Sequence, residues 1–325
     1  MGAFSVERRR RIRTHCSLPP AMLIIIAVAL ALASCSSLPK EKTSDSTVRN
    51  QASAYAQSGN GYYSQGDYVT AERFFRLALD SDFSIDYQRG IVESYNSLAK
   101  VYIAAGDSQA AESAIQGALS YASRIGDALL TARSNLVSAE LELSLSNYSQ
   151  AAETIQKVLA AIGTTSGSDA ATAYHDLGAA YKGLEQYDNA IVNLEKARDM
   201  HSARKEIALE ASDYYMIASV YSRKGDYVTA QAQALDALAL DKQMENEPGI
   251  GLDLRALGII SQKSGKESAA YDYYYGSLQV FRTLGDAGQV RDLLVRLEAS
   301  ATKLGKTQEA ATYASALHQL GASSK

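Results

Sequence analysis

An alanine recurs at a nearly constant interval along most of this 325-residue chain. Its seven copies stand 39 or 40 residues apart, at Ala71, Ala111, Ala151, Ala190, Ala230, Ala270 and Ala310. A fixed interval of this length is typical of repeat architectures, in which each small unit buries its apolar face against the next unit. The interval therefore predicts seven stacked copies of one unit rather than a single globular core.

Other residue types keep step with these alanines. A glycine stands five residues before the alanine in five copies, as Gly66 precedes Ala71, whereas Ser146 and Glu185 take its place in the other two. A small residue stands twelve residues before the alanine in six copies, beginning with Gly59. Apolar residues recur at intervals of three and four, without the alternation of a strand. Each unit is therefore predicted to be two helices that cross at small residues and are joined by a tight turn.

The order of these residues resembles the tetratricopeptide repeat. The matching residues of the first unit are Tyr55, Gly59, Tyr62, Gly66, Ala71, Phe75 and Ala78. Those of the fourth unit are Tyr174, Leu177, Gly178, Tyr181, Ala190, Leu194 and Ala197, with Glu185 at the turn. The resemblance implies an all-α, right-handed α-solenoid of about seven antiparallel helix pairs, which we assign to residues 51–322.

Two departures from the common tetratricopeptide pattern bear on helix length. The interval here is 40 residues, whereas the common repeat has about 34. The proline near the end of the common unit is absent, and Pro248 is the one proline within the repeats. An interval of 40 resembles a branch of the family with longer helices. Six extra residues shared by two helices would lengthen each helix by about 4–5 Å.

The first 34 residues have the organisation of an export signal. A basic stretch at Arg8–Arg13 precedes a continuous apolar run from Ala21 to Ala33. The run is shorter than the ~20 residues of a membrane span and suits the core of a signal peptide. The sequence Leu-Ala-Ser-Cys that ends at Cys35 resembles the lipobox of bacterial lipoproteins. An ordinary secretion signal or a membrane anchor is the alternative reading.

In bacterial lipoproteins the lipobox cysteine receives a diacylglyceryl group and becomes the first residue after cleavage. The resemblance therefore implies lipidation of Cys35 and removal of residues 1–34. Two or more acyl chains give stable membrane anchoring. Because Ser36 and not aspartate follows the cysteine, the resemblance also favours the outer membrane of the bacterial envelope, facing the periplasm. Residues 35–50 are polar beyond the cysteine and are predicted to form a flexible tether.

The net charge bears on nucleic-acid binding, and the cysteine content bears on disulfide formation. Removal of the signal changes the formal net charge from −4 to about −8. An acidic chain lacks the basic surface that nucleic acid requires, so we expect no nucleic-acid partner. Cys16 lies within the signal and Cys35 would carry lipid, so the mature chain has no cysteine pair for an internal disulfide.

The mature chain shows no motif for catalysis or metal binding. His175, His201 and His318 are expected to lie in different units without metal-ligand spacing, so we expect no metal and no cofactor. The segment Gly163–Ser168 lacks the lysine of a phosphate loop and is predicted to be a flexible connector. Nucleophile-elbow and paired-cysteine motifs are also absent, and the chain is predicted not to be an enzyme.

The tetratricopeptide resemblance implies a binding surface on the concave face, which first-helix residues line in that family. Carried over by register, these residues are Asn60, Tyr63, Asn96, Lys100, His175, Lys182, Tyr215, Arg255, Gln262 and Lys263. Some family members hold the C-terminal carboxylate of a peptide through Lys, Asn and Arg side chains. Asn60, Asn96 and Lys100 match part of that clamp.

These features favour a lipid-anchored scaffold or adaptor that binds a protein or peptide in its groove. Such a protein would assist an envelope assembly, for example secretion, a pilus or outer-membrane biogenesis. The alternative is a solute-binding or transport-accessory lipoprotein that holds a small ligand within the solenoid. An open polar groove would favour the first function, and a closed pocket would favour the second.

The lipobox reading predicts that the protein incorporates labelled palmitate in a bacterial host and that Cys35→Ala abolishes the labelling. Acylation requires the cysteine thiol, so Cys16→Ala should be labelled like the unaltered chain and serves as the matched control. Label retained by the Cys35→Ala protein would show that the lipobox reading is wrong.

Overall fold

The computed structural model describes residues 44–163 and 167–323. The predicted signal peptide, the predicted lipidation site Cys35 and residues 164–166 of the predicted connector lie outside this part. The repeats lie within one compact unit that begins at Ser46. The assignment of residues 1–34 to a signal and of the residues between Cys35 and the first described helix to a tether stays a prediction.

Fourteen helices and no strand make up the described part of the chain, as the sequence predicts. They form consecutive antiparallel pairs, with one first helix and one second helix in each unit. The first helices are α1 (Asp45–Ser64), α3 (Gln88–Ala105), α5 (Ala128–Ser144), α7 (Ser168–Gly183), α9 (Ile207–Lys224), α11 (Glu247–Lys263) and α13 (Ala287–Lys303). The second helices are α2 (Tyr68–Ser84), α4 (Ser108–Ile125), α6 (Tyr148–Ile162), α8 (Tyr187–Ala203), α10 (Tyr227–Gln243), α12 (Glu267–Leu284) and α14 (Thr307–Ser323).

The first helix begins earlier than the sequence predicts. We placed residues 45–50 in the flexible tether because they are polar, but they form the first turns of α1. Polarity is a weak guide here, since residues 44–51 are mostly exposed and face no core. None of the described helices combines the length and the apolar character that crossing a membrane would require.

All seven turns within the units adopt the same backbone conformation. The residue five before each repeated alanine has a φ between 60° and 89°, in the left-handed region. Ser146 and Glu185 share this conformation with the five glycines, although a side chain disfavours it. Residues with positive φ also follow the second helices at all six unit junctions: Asp86, Gly126, Gly163, Lys205, Glu245 and Gly285. Residues with positive φ therefore occur both at the turns within the units and at the turns between them.

Three second helices, α2, α4 and α10, start at aspartate caps directly after these turns. Asp67 and Asp226 accept hydrogen bonds from the backbone N–H groups of Thr70 and Thr229, at 3.0 and 3.1 Å. Such caps satisfy backbone donors that have no partner within the helix. The Gly–Asp pair at the turn therefore ends one helix and starts the next.

Small residues let the two helices of a unit cross closely. The repeated alanine is fully buried in the first six units, and Ala310 in the terminal unit is partly exposed. Three first helices have a glycine at the crossing, including Gly178 and Gly258. A Cβ atom on Gly258 would lie 2.5 Å from the Tyr274 ring, and one on Gly178 would lie 2.5 Å from Leu194. Both distances are too short for van der Waals contact.

Neighbouring units stack mainly through the second helix of one unit and the first helix of the next, with a smaller contribution from contacts between first helices. From α3 to α11, each first helix packs on the next first helix as well as on its own partner, and the second helices of the described part show no comparable contact with one another. The seven first helices thus form the more tightly packed side of the array, which we call the first-helix face. The predicted groove residues lie on these helices.

The turn geometry predicts that Glu185→Gly stabilises the protein by about 0.5–1 kcal/mol. Removing the side chain relieves the cost of the left-handed conformation, about 1–2 kcal/mol, and the greater freedom of glycine in the unfolded chain offsets part of the gain. Urea denaturation followed by circular dichroism measures the difference. Gly106→Ala is the matched control at the equivalent turn and should destabilise. A loss of stability in Glu185→Gly would contradict the assigned conformation.

Candidate binding groove

Ion pairs connect successive first helices across the first-helix face. Lys100 Nζ lies 2.9 Å from Glu140 Oε1, and the two residues belong to α3 and α5. Arg255 Nε lies 2.8 Å from Asp292 Oδ2 and joins α11 to α13 in the same way. Arg133 in α5 pairs with Asp169 at the start of α7. Because each pair spans about one repeat, charged side chains on this face bridge neighbouring units.

The predicted carboxylate clamp does not form a free cationic site. The ammonium group of Lys100 is already paired with Glu140, and Asn60 is exposed at the end of α1. Asn96 is buried, and its Oδ1 has no hydrogen-bond partner in the described structure. The charge that a peptide carboxylate would need on Lys100 is therefore neutralised within the chain. Register alone cannot show this, because Glu140 belongs to the next unit.

Other predicted groove residues do line the first-helix face. Tyr63 is 36% exposed, and its pKa is raised, first by burial and then by the Glu140 carboxylate. Lys182 lies with Nζ 3.5 Å from Met216 Sδ. Burial and the nearby Arg223 cation lower the Lys182 pKa to about 8. Lys182 is thus a cation on this face without a carboxylate partner among the contacts described.

Gln262 does not point into the groove. Its Oε1 accepts a hydrogen bond from the Tyr274 hydroxyl at 3.1 Å, and its Nε2 donates to Glu267 at 3.3 Å. Both partners belong to α12, the second helix of the same unit. Gln262 therefore bridges the two helices of its unit, and the neighbouring Lys263 is exposed.

His175 and His201 meet at one buried aspartate, contrary to the expectation that the histidines lie apart in different units. The Nδ1 atoms of the two rings lie 2.6 Å from the two carboxylate oxygens of Asp213, which is fully buried. Burial disfavours the charged form of His175, but the hydrogen bond to Asp213 and the negative charges of Asp176 and Asp213 together outweigh it, so the pKa of His175 is raised. In the described part of the chain, no three His, Cys, Asp or Glu side chains are placed to hold a metal ion.

Asp176 adds a second buried carboxyl group next to this cluster. Its Oδ2 has no hydrogen-bond partner in the described structure. Burial, followed by the Glu140 carboxylate, raises its pKa to about 7, although His175 and Lys100 act in the opposite direction. Lys100, Glu140, Asp176 and His175 therefore form a line of charged groups along α3, α5 and α7.

The repeat pattern of the sequence also contains a signal for the buried cluster of His175, His201 and Asp213. Asp213 and Asp253 occupy the same position of consecutive units, near the start of the first helix, and both are buried. His201 and Asp241 occupy the matching position at the end of the preceding second helix. Both pairs are therefore visible in the sequence when equivalent positions of successive units are compared.

Comparison with known proteins supports the repeat assignment. Two segments of the chain, residues 92–124 and 171–199, match the tetratricopeptide repeat family. These segments fall in the second and fourth units. No curated protein shows a significant match to the sequence.

Several solved structures share the fold at low sequence identity. A Rap protein complexed with competence and sporulation factor has a TM-score of 0.63 and 13% identity, over 84% of this chain and 75% of that chain. The apo form of the quorum sensor NprR from B. thuringiensis has a TM-score of 0.59 and 17% identity, over 84% and 77%. Aspartyl phosphate phosphatase F from Bacillus subtilis has a TM-score of 0.55 and 13% identity, over 93% and 76%. These likenesses show a tetratricopeptide-like solenoid.

The environment of Asp176 predicts that Asp176→Asn stabilises the protein at pH 8 by roughly 1–3 kcal/mol. The folded state raises the pKa from its ordinary value to about 7, so folding takes up a proton. The native carboxyl therefore costs stability increasingly as the pH rises from about 4 to 7. Urea denaturation at pH 8 and pH 4.5 measures the difference, which should shrink at the lower pH.

The exposed Asp80→Asn is the control for this prediction and should show little effect at either pH. An Asp176→Asn protein that is less stable than the unaltered chain at pH 8 would contradict the assigned environment.

Proposed function

We propose that this protein is a non-enzymatic binding protein whose first-helix face holds a segment of a protein or peptide partner. One observation carries the proposal, namely the line of charged and partly buried groups along α3, α5 and α7. Asn96 and Asp176 each leave a buried oxygen without a hydrogen-bond partner in the described structure. Unpaired buried polar groups are costly, and a bound segment would satisfy them.

The shared fold supports a binding role. A protein of this fold is complexed with competence and sporulation factor, and another is a quorum sensor. Solenoids present long surfaces made of successive units, which suit an extended partner. The polar character of the first-helix face indicates a partner with hydrogen-bonding and charged groups.

The proposal includes attachment to the bacterial envelope through lipid on Cys35. The support is the lipobox-like sequence that ends at Cys35 and the polar stretch between the cysteine and Asp45. A lipidated protein at the periplasmic face of the outer membrane would hold its groove close to envelope assemblies. Assistance to secretion, a pilus or outer-membrane biogenesis fits this position.

A second candidate function is solute binding between the units. Clefts of about 340 and 350 Å³ lie between the helices of neighbouring units, within the size range of small-molecule sites. Photocrosslinking of a macromolecule to the first-helix face would separate the two functions.

The proposal predicts where a partner contacts the solenoid. We would place the photocrosslinker p-benzoylphenylalanine at Tyr63 or Tyr215, both on first helices, and irradiate with envelope extract. Tyr275 on α12 is the matched control because it is a second-helix tyrosine that is 47% exposed. We expect one macromolecular adduct common to positions 63 and 215 and none at position 275. An adduct formed at Tyr275 alone would place the partner on the second helices and contradict the proposal.

A further inference from the structure

Two clefts in the array are built from equivalent positions four units apart. The first cleft lies between α1, α2 and α3 and has a volume of about 340 Å³. The second cleft lies between α9, α10 and α11 and has a volume of about 350 Å³. Asp82, Gly90 and Ser94 of the first cleft correspond to Asp241, Gly249 and Asp253 of the second. The repeat thus provides an internal comparison of one site in two forms.

In both clefts an aspartate at the end of a second helix packs against a glycine at the start of the next first helix. A Cβ atom on Gly90 would overlap the Asp82 carboxylate, and one on Gly249 would overlap the Asp241 carboxylate. Glycine is therefore needed at this position to admit the carboxylate. At the junction of the fourth and fifth units the glycine position is Leu209, and His201 takes the place of the aspartate.

The first cleft contains its own guanidinium group. Arg49 on α1 lines the cleft, and its Cζ atom lies 4.3 Å from the centre of the Tyr87 ring. Ser94 Oγ donates a hydrogen bond to Asp82 Oδ2 at 3.1 Å. Burial raises the pKa of Asp82, and the Arg49 cation opposes that rise. The aspartate of the first cleft therefore faces a hydroxyl donor and a positive charge.

The second cleft lacks the guanidinium group of the first cleft and contains one additional carboxyl group. The position of Arg49 is occupied by Ala208, and the position of Ser94 is occupied by Asp253. Asp253 is 1% exposed, and its Oδ2 has no hydrogen-bond partner in the described structure. Burial and the Asp241 carboxylate raise the pKa of Asp253 to about 8. Asn246 donates to Asp241 Oδ1 at 2.8 Å, and a hydrogen bond of the protonated Asp253 carboxyl with Asp241 also contributes to the raised pKa of Asp253.

The walls of the second cleft suit the alkyl part of a long side chain. Tyr215 stands where the first cleft has Ala56, and Leu252 stands where it has Glu93. Met216 and Pro248 complete an apolar lining on either side of the carboxyl pair. His175 and Tyr215 also belong to the predicted groove, so the cleft adjoins the first-helix face.

We propose that the second cleft binds the side chain of an arginine from the partner polypeptide, with the guanidinium at Asp241 and Asp253 and the alkyl stem against Tyr215, Met216 and Leu252. The proposal rests on the function proposed above. A planar guanidinium fits two adjacent carboxyl groups better than a compact ammonium does. The bound arginine would supply the charge that Arg49 supplies in the first cleft.

Binding of a cation here should release a proton near neutral pH. A guanidinium favours the ionised carboxylate, whereas the empty cleft favours the protonated form of Asp253. The titratable and charged groups around the site come from α7, α9, α10 and α11: His175, Asp213, Tyr215, Asp241, Asp253 and Arg255. Arg255 is paired with Asp292, and His175 is paired with Asp213, so neither neutralises the carboxyl pair directly.

The test is isothermal titration calorimetry of the full-length chain in detergent with the probe acetyl-Gly-Arg-Gly-amide. The control probe replaces arginine with citrulline, which has a similar shape and no charge. We expect saturable binding of the arginine peptide at pH 7 and at least about tenfold weaker binding of the citrulline peptide. The binding enthalpy should differ between phosphate and Tris buffers because a proton is released. Equal affinities for the two peptides, or equal enthalpies in the two buffers, would overturn the proposal.

Two substitutions test the location of the site. Asp253→Asn keeps the shape and removes the charge, and Ala208→Arg restores the residue type of the first cleft and should compete with the probe. Each should weaken binding at least about tenfold. The exposed Asp272→Asn on α12 is the matched control and should bind normally. Circular dichroism melting confirms that each variant is folded, and full binding by folded Asp253→Asn would overturn the proposal.

A third probe, propylguanidine, separates a polypeptide from a free solute. We expect it to bind more weakly than the tripeptide, because it lacks the peptide backbone, and tighter binding would overturn the polypeptide assignment. Failure of the arginine peptide would leave the photocrosslinking test of the first-helix face unaffected. If the arginine peptide binds but crosslinks form only on the second helices, the function proposed above is contradicted, whereas the assignment of the cleft as an arginine site stands.

Discussion

The structure depends on the close crossing of two helices at small residues. At Gly258 the backbone of α11 approaches the Tyr274 ring so closely that a single added methyl group would collide with it. The buried repeated alanines permit a similarly close crossing of the two helices in every unit but the last. A helix pair packed this closely still has an apolar face that it cannot cover, so the next unit must supply the cover. The stacking of the units follows from this requirement.

The stacking also explains why the polar residues of interest lie at the junctions. The end of a second helix packs against the start of the next first helix, and three of these junctions bury an ionisable pair or an acid–hydroxyl pair: Asp82 with Ser94, His201 with Asp213, and Asp241 with Asp253. Apolar residues at the same positions would pack more simply. Buried carboxyl groups weaken folding unless a partner compensates them. The pair at Asp241 and Asp253 has the least compensation from the described chain, which is why we assign it a ligand.

The fold could be predicted from the sequence because its main constraints are local and repeat. Ser146 and Glu185 could be assigned left-handed turns from the register alone, since every unit needs the same turn. The groove was predicted only in part. The partner of Lys100 lies one unit away, and the direction of Gln262 depends on how its own two helices pack, so neither follows from spacing within one helix. The start of α1 was missed because exposed helical turns carry no apolar pattern.

The account is tested most directly by a crystal structure of the protein with acetyl-Gly-Arg-Gly-amide. We predict guanidinium nitrogens within about 3 Å of the carboxylate oxygens of Asp241 and Asp253. The peptide backbone should lie toward His175 and Tyr215 on the first-helix face. A peptide bound to the second helices, with the cleft at Asp253 empty, would contradict the account.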